Sequence, residues 1–593
     1  MYVKRYVVRR GRRQYVYLRL VEAFRDEQGR VRHRVLHTLG REDQLKASGQ
    51  LDQLAAAFTR LDPPLAGTRR EVGPLLLVGH YLDRLGLVAL VDRHLPQRGR
   101  AQLTHGEVVA ALVANRLCAP SPLYDVAGWG SSAAMAEVLD TPGVLLGDDR
   151  LGRTLEALAP LAEEVRGAVM LAAIDRFGVQ AARLHLDLTC LRVAGAYEGS
   201  ALVGKGWGPD RRVARQVRML QATTPQGIAL YVRPHPGDAA ELACIGAALD
   251  RLRELLPPGL LVCADSVLGH VKNLCAADRA GLRFVVPLRA DTGFAQRFLD
   301  EVGHDGLHRL DYLAARERHL PAARRTRYRG ALRRFAVTDP DTGASHPFRV
   351  AYIWSSEEAR SVADGRQRAL AKAEAALGKV QRGLGGRYYK TRTQADAKVA
   401  RTLGPQVRGL LHVTTGTLNG KPTLRFERDQ AAIAAAARTD GAYALATNLP
   451  GRLSATQLLR IYKDQPLVEW RHRDAKQTLR VRPIFLHNDD RITALVSVVG
   501  LALVLFGLLE ADLRHTLGPD QHLDGLLPEG RAARPTGRNI LAAFQGLGLT
   551  YTQDGIVLDR LTPTQRHILT LLNISVPWPE HSEVAPLNRG KWV

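Results

Sequence analysis

Along residues 2–38 apolar and polar positions alternate with a period of two, broken at Gly11 and at Asp26-Glu27-Gln28-Gly29. That pattern predicts three strands, 2–9, 14–24 and 30–38, in a small antiparallel sheet. In the third, Arg30, Arg32 and Arg34 share one face and Val31 and Val35 the other, because strand side chains alternate; the Arg face is expected to meet solvent or phosphate. From Glu42 to about Val179 the spacing turns helical, notably over 75–91. Thr104 followed by Glu107 spells a capping box, so the stretch reads as an all-α module. Past Ala182 strands return: 184–193, then a hairpin of 217–223 and 228–233 around Pro225-Gln226-Gly227. A helix over 238–256, a strand over 260–264, a helix over 270–280 and a strand over 282–288 follow. Strands joined by a hairpin pair antiparallel and strands separated by helices pair parallel, so the prediction is an α/β chain with one mixed sheet covered by helices.

This order of three neighbouring strands, then α, β, α, β, is the signature of an RNase H-like layout, one that other mixed α/β folds can share. Residues 290–452 interrupt it with strands at 328–338, 348–354, 409–415, 423–427 and 442–447 and a long helix over 357–383, which reads as a β-rich insertion. Beyond Ser454 the chain is mainly helical to Gly518 and ends in a mixed tail with a helix over 564–573. The expected organisation is a basic sheet (1–40), then a helical region for DNA binding or dimerisation (41–180). An RNase H-like core in two parts (181–289 and 453–518) surrounds the insertion (290–452), and a C-terminal tail region (519–593) follows. A length of 593 residues leaves room for this at roughly 150 residues per domain. The run 492–509 is apolar for 18 residues, the lower limit of a membrane span. It carries Thr493, Ser497, Gly500 and Gly507, and nothing else in the chain resembles it, so a buried core helix and no membrane association are expected.

Composition adds one anomaly. A hydrophobic share of 46% and a charged share of 24% are those of a globular protein and exclude a wholly disordered or fibrous chain. Lys and Arg, however, number 83 against 59 Asp and Glu, a surplus of +24 spread along the chain, which implies a polyanionic partner. Only 12 of the 83 are Lys. The Arg bias suits bidentate phosphate contacts, and a GC-rich genome would produce it equally. Arg is densest over 316–334, with eight Arg and one Glu, a nucleic-acid contact or a solvated face. The five Cys (118, 190, 244, 263 and 275) form no C-x-x-C pair and sit mostly in apolar runs, as buried small hydrophobes do in a reducing compartment. Residues 1–10 lack the apolar core of a signal peptide, so a cytoplasmic protein is expected.

Three acidic positions stand out. Asp187 lies within an apolar strand on the face of His185 and Thr189, where a carboxylate needs a partner. Asp265 follows the buried strand 260–264, at the kind of strand end where α/β sheets gather ligands. Each also reads as a cap or a partner for one of many Arg. In the stretch 461–476, Glu469, Arg473 and Lys476 fall on one face of an ideal helix, as a metal ligand beside phosphate contacts would, or as a surface ion pair. Pro466 lacks the N–H that would bond the carbonyl of Tyr462 and disfavours α conformation at Gln465, so a break is expected there. No His/Cys set points to zinc.

With these residues on view, the chain resembles the DDE transposases of bacterial insertion sequences, in the group marked by Y-x2-R-x3-E-x6-K. Tyr462, Glu469 and Lys476 match that spacing, with Gln465 in place of the Arg. Leu186-Asp187-Leu188-Thr189 matches the first acidic motif, and Ala264-Asp265 followed by Lys272-Asn273-Leu274 the second. The resemblance implies that Asp187, Asp265 and Glu469 are catalytic and bind two Mg²⁺ (or Mn²⁺) ions that clamp the attacking and leaving oxygens of a phosphodiester. Tyr462, Gln465, Arg473 and Lys476 would contact DNA, with Arg473 or Lys463 supplying the charge that Gln465 lacks. It also implies binding to the terminal inverted repeats as a homodimer on double-stranded DNA, cleavage, and transfer of the 3′-OH ends to target DNA. Two other readings remain: a DNA-binding protein that has lost catalysis, suggested by Gln465 and Pro466, and an RNase H-like nuclease without strand transfer.

Overall fold

The computed structural model describes residues 2–581 apart from 11–12, 26–30, 49, 51–65, 97–100, 209–211, 267, 465, 483 and 519–520. Its strands among these residues are β1 (Tyr2–Arg10), β2 (Arg13–Arg25), β3 (Val31–Arg41), β4 (Arg69–Glu71), β5 (Arg183–Arg192), β6 (Gly204–Trp207), β7 (Val213–Thr223), β8 (Ala229–His235) and β9 (Leu261–Cys263). They continue with β10 (Arg283–Pro287), β11 (His308–Arg309), β12 (Tyr328–Thr338), β13 (Ser345–Ser355), β14 (Leu411–Leu418), β15 (Lys421–Arg428), β16 (Ala442–Thr447), β17 (Gly548–Thr552) and β18 (Gly555–Leu558). The class is mixed α/β, with a large mixed sheet covered by helices. The chain divides into two compact units: Met1–Gln180, Leu188–Ala239 and Val468–Val593 form one, Ala181–Asp187 and Ala240–Leu467 the other. The division falls inside β5 and between Leu467 and Val468, so it does not follow the six segments expected from sequence.

In the first unit β1, β2 and β3 pair antiparallel as their alternation predicts. Leu18 and Val21 of β2 and Leu45 of the helix Glu42–Ala47 are buried. Arg34 is open to solvent and pairs with Glu22 at 2.6 Å, but Val35 is exposed as well, so alternation on β3 does not produce one buried and one open face here. Arg30 and the side chains of Val31 and Arg32 lie outside the described residues. The capping box forms: Glu107 N donates to Thr104 Oγ1 at 3.1 Å and Thr104 N to Glu107 Oε2 at 2.6 Å. The stretch after Glu42 is not purely helical, because β4 pairs with β17 from near the other end of the chain. Three residues with a partner so distant leave no local periodicity to read.

The apolar run lies within the helix Asp489–Leu517, whose first turn is capped by Asn488. Its composition and length suffice for a membrane span, yet 94% of its most apolar stretch is buried inside the protein. It packs on β8 through its small residues: a Cβ on Gly500 would lie 2.8 Å from Val232 Cβ, and one on Gly507 2.9 Å from Ile228 Cα. The second half of β5, β7 and β6 are neighbours in the sheet of this unit, with β8 paired to β7.

In the second unit the first half of β5 pairs parallel with β9, and β9 parallel with β10. β10 pairs antiparallel with β16, β16 with β13, β13 with β12 and β12 with β11. Residues 290–452 are therefore not a body inserted beside the sheet. β16 runs between β10 and β13, where Ala444, Leu445 and Ala446 are fully buried and both edges of its backbone are hydrogen-bonded. What stands apart is the hairpin β14–β15 with the helices Ser356–Arg382 and Arg392–Thr402, closed around Leu370, Leu377, Val380, Leu411 and Leu424. All five cysteines are free; Cys244, Cys263 and Cys275 are buried as expected, whereas Cys118 and Cys190 are only half-buried.

Candidate active site

Asp187 and Asp265 follow the paired segments of neighbouring parallel strands. His185 of β5 pairs with Cys263 of β9, both buried, and Asp187 and Asp265 each follow two residues on in the chain, past the last paired residues. Both aspartates are half-buried. β9 stops at Cys263, which puts Asp265 in the turn at its carboxyl end, while Asp187 lies within the longer β5.

Glu469 belongs to the other unit. Its helix, Pro466–Arg473, begins at the proline, separated from the preceding helix Ala455–Tyr462 by the break that Pro466 predicts. Gln465 lies outside the described residues. Glu469 and Arg473 are exposed, while Val468, Arg471 and His472 are buried. The ideal helix assumed from sequence does not run through to Lys476: a π-helical turn spans Asp474–Thr478 and changes the angular step per residue. Lys476 Nζ donates instead to Thr189 Oγ1, on the half of β5 that belongs to the same unit.

Sequence reasoning missed what anchors this helix. Arg471 donates through Nε to the Gly227 carbonyl, through Nη1 to Asp474 at 2.9 Å, and pairs through Nη2 with Glu510 at 3.0 Å. Glu510 also meets Arg514 and accepts from Gly537 N at 2.9 Å. Burial works against the charge on Arg471, but Glu510 and Asp474 hold its guanidinium above its usual range, while burial lifts the Asp474 carboxyl. The available signal was Glu510 itself, a carboxylate ending an apolar run.

The residues just before the break sit in the second unit. Asp464 pairs with Arg183 at the start of β5 at 2.8 Å, although burial raises its carboxyl. Lys463 lies over the rings of Tyr328 and Tyr443, 5.3 and 5.8 Å from their centroids, and burial lowers its ammonium. Lys463 is thus packed among tyrosines, whereas Arg473 is exposed. Tyr462 packs beside Tyr443 at 6.3 Å. In the same unit Arg309, Arg325, Arg327 and Arg329, with Tyr312, Tyr328 and Trp354, line a cleft of about 630 Å³ built largely from the Arg-dense stretch.

Residues 4–65 match the model of the IS1634 family transposase N-terminal domain. This stretch is thus similar to the N-terminal domain of an insertion-sequence transposase. Residues 68–164 match a second family model, a domain of unknown function, DUF4277. No curated protein matches the chain. Among solved structures it is similar to the cryo-EM structure of the piggyBac transposase synaptic complex with hairpin DNA, at 9% identity over 87% of this chain and 89% of that one. The TM-score is 0.34.

Proposed function

We propose that this transposase-type chain acts by DDE chemistry: it binds the inverted ends of its element, cleaves phosphodiester bonds there and transfers the 3′-OH ends to target DNA. The observation that carries the reading is that Asp187 and Asp265 each follow by two residues the register pair His185 and Cys263 of neighbouring parallel strands. The pairing order β8, β7, β5, β9, β10 supports an RNase H-like core. Two half-buried carboxylates are oxygen-only donors and fit Mg²⁺ or Mn²⁺. Asp187, Asp265 and Glu469 would hold two such ions, which supply charge stabilisation to the attacking and leaving oxygens of a phosphodiester. Arg473 and Lys476 bind backbone phosphate, Tyr462 orients the DNA end, and Gln465 meets it without a guanidinium's charge. The Arg-lined cleft by Tyr312, Tyr328 and Trp354 supplies further phosphate contacts. The protein works as a homodimer on double-stranded DNA in the cytoplasm, at the nucleoid when bound.

The test uses DNA carrying the sequences that flank the gene. Asp187→Asn, Asp265→Asn and Glu469→Gln each remove a ligand charge at nearly constant volume. Each is expected to abolish Mg²⁺-dependent nicking while DNA binding persists and weakens steeply with salt, as phosphate contacts require. Variants that nick at the parental rate would overturn the triad. A parental protein that binds the ends yet never nicks under Mg²⁺ or Mn²⁺ would mark a chain that has lost catalysis, and nicking without joining would mark a nuclease.

A further inference from the structure

The loop between β12 and β13 runs Asp339-Pro340-Asp341-Thr342-Gly343-Ala344, and Asp339 organises it. Its carbonyl accepts from Gly343 N at 2.8 Å, Oδ1 from Asp341 N at 2.9 Å and Oδ2 from Thr342 Oγ1 at 2.9 Å. The residue is only 1% exposed. β13 then brings in His346, opposite Val337 of β12, and the helix Val271–Arg279 brings Cys275 and Asp278. His346 Nδ1 is 2.7 Å from Asp278 Oδ2, and the other oxygen of Asp278 is fixed by Asn448 Nδ2 at 2.7 Å. The second ring nitrogen, Nε2, is buried without a hydrogen-bond partner and lies 3.7 Å from Asp339 Oδ2. Cys275, fully buried, completes the group: one donor atom from each of Cys275, Asp339 and His346 lies within 4.8 Å of the others.

A buried ring nitrogen left unpaired carries the cost of its lost hydration, and native structures leave few such groups without a role. An imidazole with one nitrogen held by a carboxylate and the other left open to a ligand bond is the arrangement that metal-binding histidines adopt. We propose that Cys275, Asp339 and His346 bind one divalent cation of the zinc class, with water as the fourth ligand. Thiolate and imidazole favour Zn²⁺ over Mg²⁺, which keeps to oxygen, so this site does not compete with Asp187 and Asp265 for their ions. Tetrahedral bonds of about 2.0–2.3 Å place donor atoms roughly 3.3–3.8 Å apart. His346 and Asp339 already have that spacing, at 3.7 Å, and the Cys275 donor lies within 4.8 Å of both. Arg279 now meets Asp339 Oδ2, but its other nitrogen lies 3.5 Å from Asp341, a second carboxylate to which it turns when the cation takes Asp339. The cation ties the helix that follows the Asp265 turn to the β12–β13 hairpin, a structural task that stands whether or not the chain cleaves DNA.

The test is a Co²⁺ titration of the full chain after treatment with a chelator. One equivalent is expected to produce intense tetrahedral d–d bands and a thiolate-to-cobalt charge-transfer band, both removed by Zn²⁺ and untouched by Mg²⁺. Cys275→Ala should lose the charge-transfer band, and Asp278→Asn, which removes the support of His346, should weaken binding roughly 10- to 100-fold. A parental chain showing only weak octahedral absorption, or a charge-transfer band that survives Cys275→Ala, would overturn the proposal. If Cys275→Ala fails to fold, the parental spectrum decides, because among the described residues no other cysteine has two further ligand side chains in reach.

Discussion

Arg471 Nη2 stands 3.0 Å from Glu510 Oε1, and the two side chains are only 5% and 6% exposed. The contact joins the helix that carries Glu469 to the core helix Asp489–Leu517 within one unit. Removing one partner of such a pair leaves a buried charge uncompensated, which costs roughly 3–5 kcal/mol. Arg471→Met is therefore expected to lower unfolding free energy by that order in a urea titration. A loss below about 0.5 kcal/mol, the range of an ordinary surface substitution, would show that Arg514 compensates Glu510 and Asp474 at no cost.

The close approach of the core helix to β8 depends on glycine. Gly507→Val places atoms where Ile228 Cα and the Gly227 carbonyl already lie, at 2.9 and 3.1 Å from the first added carbon. Overpacking of this kind costs roughly 1–3 kcal/mol. Gly246→Ala, on the helix Glu241–Leu255 with nothing within 4 Å, is the control and is expected to stabilise by about 0.5–1 kcal/mol. Equal effects of the two substitutions in thermal or urea unfolding would contradict the packing described.

His235, at the end of β8, has its pKa lowered to about 4 by burial, with Arg233 and Arg166 adding repulsion and Glu163 opposing them. The unfolded chain takes up this proton near pH 6.5 and the folded chain resists it until about pH 4. Stability is then unaffected by this group above pH 6.5 and falls as the pH drops from 6.5 to 4, by up to about 2 kcal/mol once solvent screening is allowed for. Carboxylates titrate in part of the same window, so the readout is the difference from His235→Asn, whose stability should decline less between pH 7 and pH 4.5. Parallel curves for the two proteins would refute the assignment.

Lys476 donates to Thr189 and is half-buried. As a phosphate contact it should contribute to DNA affinity without reading sequence. Lys476→Met is expected to weaken binding to end DNA and to unrelated duplex by similar factors, and to reduce the slope of log affinity against log salt by about one. An unchanged slope with lowered stability would make Lys476 a packing residue of β5.

Much of this molecule is local and therefore written in neighbouring residues. Alternation in residues 2–38, the Thr104–Glu107 capping box, Pro466 as a break and the succession of β7, β8, β9 and β10 with their helices all follow from side-chain period and turn chemistry, which act within a few residues. The placement of Asp187 in a strand and Asp265 at a strand end was legible for the same reason, and the pairing of His185 with Cys263 was not, because register between strands is chosen by pairing over a long separation. Tertiary structure alone decided that β16 enters the sheet between β10 and β13, since a wholly buried apolar strand has the same local signal wherever it inserts. It likewise decided that three-residue β4 finds β17, that a π turn redirects Lys476 to Thr189, and that Cys275, Asp339 and His346 meet. Each of these joins residues far apart in the chain, and such contacts are selected by burial and hydrogen-bond satisfaction of the whole fold rather than by any pattern a short window contains.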